Sequence, residues 1–272
     1  MDEYSLLYIH ESLRQNPADC VFLGYEYVWG EKRAQVAKKE LSPSELFYVL
    51  SGSEIIEKVM IPLFGLSQAN VDRFFEGLSP YTNDFFICGY VCRYVLKRSI
   101  LLENSLSFRS DMKLGEDAML FLRYLYYVKE MNVIKEGLYY YYVRSTGALE
   151  SLKANPSLLF QCKMQLAEER HNINELYMQK YGKDLSQYYD GSLLFSALEM
   201  CIKLSREGYS VNYGLFKRYA SYPPVRKAVA RIDLTKAPLK YKLPIKLLQL
   251  DYLRLLYSLM YIAQRTGYKV NV

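Results

Sequence analysis

Along the first 151 residues the apolar positions change period repeatedly. Asp2 to Gln15 sets Leu6, Leu7, Ile9 and Leu13 among charged residues, the spacing of an amphipathic helix. Asn16-Pro17 is a stop and turn signal. Asp19 to Trp29 is rich in Val, Tyr and Phe and reads as a strand. Gly30 to Arg33 reads as a hairpin turn, with a second strand from Ala34 to Leu41. Ser42-Pro43-Ser44-Glu45 carries a cap, a proline at the first helical position and an acid that closes a capping box, so a helix is predicted to start there. Ser67 to Leu78 reads as a short helix, and Asn83 to Asn104 as an aromatic strand-like run followed by a short helical segment. From Gly115 to Met131, Leu120, Phe121, Tyr124, Leu125 and Val128 recur at i, i+1, i+4, i+5 and i+8, a helical stripe. Asn132 to Val143 reads as one or two strands.

Beyond residue 151 the pattern becomes helical throughout. Asn155-Pro156 opens a long helix expected to end near Gly182, and a second is expected from Leu185 to Arg206. Shorter helices follow, with breaks predicted at Pro223-Pro224, Pro238 and Pro244, and a last helix from about Leu243 to about Gly267. The predicted fold class is therefore α/β for residues 1–151, followed by an all-helical region over 152–272. There is no internal repeat. No stretch of about 18 uncharged apolar residues occurs, so no transmembrane helix is expected. The mixed-charge N-terminus lacks the pattern of a signal peptide, which implies a cytoplasmic chain.

Charge changes this picture more than bulk composition does. The net charge of +6 conceals an asymmetry: Lys217 to Val272 holds 12 Lys and Arg against Asp233 and Asp251, whereas the rest of the chain is slightly acidic. A basic helical tail suits an anionic surface. Its positive charges interleave with Leu and Pro rather than alternating with stacking aromatics, so nucleic acid is not the expected partner. Tyrosine is abundant, at 28 residues, and suits clefts and interfaces where a ring is buried and a hydroxyl wetted. The five cysteines, Cys20, Cys88, Cys92, Cys162 and Cys201, do not pair into a zinc pattern and are expected to be buried reduced thiols. His10 and His171 sit in no ligand cluster.

The candidate chemistry lies at Gly115-Glu116-Asp117, directly before the apolar stripe. A carboxylate at a helix start is held rigidly and kept ionised by the helix dipole. Acids are also common at helix starts for stability alone, so the flanking sequence has to decide. Cys92 to Phe108 is followed by Gly115 to Phe121, then by Gly137 to Ser151 with its run Tyr139 to Tyr142 and Arg144. In that order the segments resemble the acceptor-side half of bacterial family 2 glycosyltransferases. Val95 to Leu101 match the family's helical segment, and Phe108 the phenylalanine after it. Gly115, Glu116 and Asp117 match its Gly-Glu-Asp motif. Tyr142, Arg144 and Ser145 fall in its aromatic stretch, and Asn16 to Val28 is similar to one of its strands. The resemblance covers roughly residues 1–151.

The resemblance implies a partial GT-A-like mixed sheet and an inverting transfer of sugar from a nucleotide-sugar donor to a glycan or lipid-linked acceptor, in bacterial surface polysaccharide synthesis. It implies Asp117 as the base, Glu116 as a supporting group, and Gly115, Arg144 and Ser145 on the substrate side. Adjacent helical residues point about 100° apart, so only one of the two acids can face a cleft. The family also uses a divalent cation, Mn or Mg, held by an Asp-x-Asp motif. That motif occurs nowhere in this sequence. The resemblance thus implies a chain carrying the acceptor half with a sheet edge left uncovered, the nucleotide-binding half being encoded upstream as a separate piece, cut off by a misassigned start, or lost by decay. The alternative is a non-catalytic membrane-surface or partner-binding protein on a decayed scaffold, held at the inner face of a membrane through residues 217–272.

Overall fold

A computed structural model describes residues 4–29, 46–81, 91–143, 155–207 and 209–266. The chain forms two compact units. The first is drawn from the described residues of Met1–Leu63, Phe85–Asp111 and Gly115–Gly147, the second from those of Phe64–Asp84, Met112–Leu114 and Ala148–Val272.

The first unit is mixed α/β. Its elements are α1 (Ser5–Gln15), β1 (Cys20–Trp29), β2 (Tyr48–Ser51), a helical stretch over Ser53–Ile55 and Ile56–Met60, β3 (Tyr94–Leu96), α3 (Arg98–Glu103), α4 (Glu116–Leu125) and β4 (Glu130–Val143); Gln68–Phe75, helix α2, belongs to the second unit. The sheet order is β2-β4-β1-β3, with β1 and β4 parallel at the centre and short antiparallel strands outside them. The two central strands carry Val21, Phe22, Leu23, Met131, Val133 and Ile134, all buried, the apolar density expected of strands covered on both faces. Among the described residues β2 covers β4 only over Glu130–Val133.

A double irregularity interrupts the central ladder. Leu23 pairs with Ile134, Gly24 with Gly137 and Tyr25 with Tyr139, so β4 carries extra residues on either side of the glycine pair. A Cβ on Gly24 would lie 2.2 Å from the Lys135 carbonyl oxygen and 2.3 Å from that of Glu136. Only glycine fits so close a backbone approach.

The structure departs from the predicted elements at several points. Helix α1 buries Ser5, Ile9 and Ser12, while Leu6 and Leu7 face outward. The Ser5 hydroxyl donates to the Leu138 carbonyl, so small polar residues allow the helix to lie close to β4. The hairpin over 30–41 and the cap at Ser42 to Glu45 lie outside the described residues, but Tyr48–Ser51, which would continue that helix, is strand β2. Pairing with Glu130–Val133 overrides the local helical signal. Helix α4 ends at Leu125, short of Val128, and Glu130 and Met131 belong to β4, a single strand. Cys92 is exposed, whereas Cys20, Cys162 and Cys201 are buried, none of them in a disulfide, and Cys88 lies outside the described residues.

The second unit is helical: α2 (Gln68–Phe75), α5 (Pro156–Tyr181), α6 (Asp190–Glu207), α7 (Ser210–Ala220), α8 (Pro223–Arg231), α9 (Leu239–Gln249) and α10 (Leu253–Arg265). Asn155 caps α5 by accepting from the Leu158 amide, and Gly182 ends it in the left-handed region. Asp190, 5% exposed, opens α6 and takes a two-pronged ion pair from Arg231 at 2.6 and 2.7 Å. The expected single last helix is two. Asp251 adopts φ 65° between α9 and α10, and its carboxylate meets Arg226 at 3.1 Å. Pro244 sits inside α9 rather than breaking it, and Pro223-Pro224 open α8, where a missing N–H costs little.

Candidate functional site

The site lies within the first unit, at the N-terminus of α4. Gly115 is the N-cap and adopts φ 72°, ψ 16°, the left-handed conformation that glycine takes without penalty. Glu116 and Asp117 then fill the first helical turn, both half-buried. The Asp117 Oδ1 accepts from the Ala118 amide at 2.8 Å, which fixes one face of the carboxylate. The next turns bury Met119, Leu120, Phe121, Leu122, Tyr124 and Leu125. The acids therefore project from the end of a helix whose body is anchored.

Two contacts hold α4 to the sheet. The Phe121 ring stacks on Tyr94 of β3, with centroids 3.5 Å apart. The Tyr124 hydroxyl donates to the Asp19 carbonyl at 2.5 Å and accepts from the Lys97 amide at 2.8 Å. Burial pushes the Tyr124 hydroxyl up, so it stays protonated and able to donate.

Asp19 is the hub, and sequence reasoning placed it only at the start of a strand. Its carboxylate accepts from the Lys129 amide at 3.0 Å and meets the Lys97 ammonium at 3.1 Å. Its own amide donates to the Glu130 carbonyl. Burial acts to raise the carboxyl, but the Lys129 amide and Lys97 outweigh it and hold it below the usual aspartate range. One short residue thus joins β1, β3, α4 and β4. Lys97 is the N-cap of α3 and one of these links.

Arg93 was also missed. It is fully buried, with its guanidinium 4.3 Å from the Phe22 ring centroid and 4.1 Å from that of Tyr25. Its Nε donates to the Leu23 carbonyl at 3.2 Å, beside the glycine irregularity. Nearby, a hydrogen bond to Cys92, with burial behind it, pushes the Tyr139 hydroxyl up to about 12. A lone Arg between Cys92 and Tyr94 gives no signal in sequence that it is buried.

The structure brings Gly115, Glu116 and Asp117 together at one helix start. Arg144 and Ser145 lie outside the described residues. Among the described residues no group of three or more His, Cys, Asp or Glu could hold a metal ion.

The second unit has a cavity of about 630 Å³ between α2 and α6. Phe74, Tyr81 and Phe195 supply rings, and Glu199, Lys203 and Arg206 supply charge. Glu199 meets Lys163 at 2.7 Å and Lys203 at 2.5 Å. Burial acts to raise its carboxyl, and the two lysines together hold it low.

No protein-family model matches the sequence, and no curated protein does. Solved structures are similar in chain trace. The complex of S. aureus TarS 1–349 with UDP-GlcNAc is 12% identical, with a TM-score of 0.48, over 99% of this chain and 66% of that one. Another structure of S. aureus TarS 1–349 gives a TM-score of 0.46 at 12% identity, and the complex with UDP gives 0.40 at 13% identity. The chain spans 65–66% of the length of those chains. At such identity residue roles do not transfer. No helix among the described residues is long and apolar enough to cross a membrane.

Proposed function

We propose that this chain carries the acceptor-side, base-bearing part of a glycosyltransferase that moves a sugar from a nucleotide diphosphate to a hydroxyl with inversion. The observation that supports this reading most is the left-handed Gly115 delivering Glu116 and Asp117 to the first turn of an anchored helix, within an ordered set of family-like segments. Asp117 is the base. It takes the proton of the acceptor hydroxyl while the oxygen bonds to the anomeric carbon. The bond from that carbon to the phosphate oxygen breaks, and its electron pair leaves with the nucleotide diphosphate. The helix N-terminus places the carboxylate in a fixed position at the end of an anchored helix. Glu116, about 100° around the helix, supports or binds rather than sharing the proton. Arg144 and Ser145 belong to the substrate side of this reading. The acceptor class is a glycan or lipid-linked sugar of a bacterial surface polysaccharide.

The test is release of nucleotide diphosphate from a panel of nucleotide sugars that includes UDP-GlcNAc, with glycan acceptors, for the native chain, Asp117→Asn and Glu116→Gln. Expected, with the nucleotide-binding half supplied, are turnover by the native chain, its loss in Asp117→Asn with unchanged donor binding, and partial retention in Glu116→Gln. Turnover retained in Asp117→Asn would overturn the base. Absence of turnover by the native chain, with the nucleotide-binding half supplied, would overturn the transfer reading.

A further inference from the structure

Helices α9 and α10 each carry two apolar stripes, one buried and one exposed. On α10 the buried stripe is Leu253, Leu256 and Tyr257, with Tyr257 against Phe216 and Tyr213 at centroid distances of 5.6 and 5.4 Å. That stripe meets the need of an amphipathic helix to cover its apolar face. Yet Tyr252, Leu255, Leu259 and Ile262, at i, i+3, i+7 and i+10, form a second stripe on the outward side, 39–58% exposed. On α9, Ile245, Leu247 and Leu248 point inward. Leu239, Leu243 and Leu250, at i, i+4 and i+11, point outward and are 54–80% exposed. Solvated helix faces do not ordinarily collect leucine at helical spacing.

Charge identifies what covers this face. Between Leu239 and Thr266 the cations are Lys240, Lys242, Lys246, Arg254 and Arg265, all exposed. The sole carboxylate there is Asp251, held by Arg226. Lys246 falls on the outward stripe of α9, at i+7 from Leu239. Arg254 and Arg265 lie about a quarter turn to one side of the α10 stripe. A complementary protein groove requires no such excess of one sign, whereas an anionic lipid surface does. Its headgroups meet Lys and Arg while leucines enter the acyl boundary. The helices are 11 and 13 residues long, too short to span a bilayer and of a length that lies in its surface.

We propose that the outward face of α9 and α10 docks this chain onto an anionic lipid bilayer, with Leu239, Leu243, Leu255, Leu259 and Ile262 inserted and the flanking cations on the headgroups. The proposal does not depend on the transfer reading, and its readout is separate.

The test is co-sedimentation of the native chain with vesicles of phosphatidylcholine alone and with added phosphatidylserine, alongside sedimentation velocity without lipid. The native chain should bind the anionic vesicles and not the neutral ones, and raised salt should weaken binding. Lys242→Gln with Arg254→Gln should reduce partitioning, at about fivefold per cation removed. Leu255→Gln with Ile262→Gln, both exposed and therefore compatible with the fold, should reduce it about tenfold or more at unchanged thermal midpoint. No binding to anionic vesicles, or equal binding to neutral ones, would overturn the proposal. Self-association without lipid that Leu255→Gln with Ile262→Gln abolishes would show a second copy as the occupant and overturn it equally.

Discussion

The Tyr124 hydroxyl bridges the Asp19 carbonyl and the Lys97 amide, and so ties α4 to the first strand of the sheet and to the N-cap of α3. The Lys97 amide also reaches the Asp19 carbonyl directly, at 3.2 Å. Tyr124→Phe therefore leaves that donor and that acceptor partly satisfied. The expected cost is about 1 kcal/mol, at the lower end for a buried hydrogen bond. Denaturant unfolding of native and variant chains checks it. A loss several-fold larger would mean that the ring packing on Phe121 also depends on the hydroxyl.

Asp19 makes stability depend on acid. Its carboxyl titrates lower in the folded chain than in the unfolded one. Such a group stabilises the fold at pH above its unfolded value, about 3.9, and that contribution is lost as pH falls through the lower folded value. Asp19→Asn should cost about 1 kcal/mol near neutrality, since its ion-pair partner Lys97 is largely exposed. The gap between native and Asp19→Asn stability should close below about pH 4. A gap that persists unchanged at low pH would show that the carboxylate charge is not what matters.

Two glycines predict opposite signs. Gly24→Ala places a Cβ against two carbonyl oxygens of β4 that cannot swing away, and should destabilise by about 2 kcal/mol or more. Gly214, exposed in helix α7, has nothing within 4 Å of an added Cβ. Gly214→Ala should stabilise by about 0.5–1 kcal/mol through helix propensity. Thermal midpoints of the two variants give the comparison.

Gly115→Ala should cost about 1–2 kcal/mol, because an L side chain meets its own carbonyl in the left-handed region. Gly115→Asn should cost less, since asparagine visits that region more readily. If Glu116 and Asp117 act as proposed, nucleotide release should fall in the order native, Asn, Ala. Equal stability of the Ala variant would argue that the cap relaxes to another conformation.

The elements with strong local chemistry were legible from residues alone. Asn155-Pro156 and Gly182 bracket α5 because a cap, a fixed φ and a left-handed terminus are properties of single residues. Gly115-Glu116-Asp117 announced a helix start for the same reason. Residues 48–51 were not legible, because pairing with β4 is non-local and overrides propensity. The extra residues around Gly24 and Gly137 have no local period to betray them.

The sequence by itself determined a mixed α/β region followed by helices, a basic tail, and an acidic turn ahead of an apolar stripe. These follow from period, caps and charge, which each residue carries wherever it goes. Only the tertiary structure decided that Asp19 is a hub, that Arg93 is buried between rings, and that Leu255 and Ile262 face outward. Burial is shared between elements far apart in the chain, so a leucine at helical spacing does not say which of two faces its helix will cover.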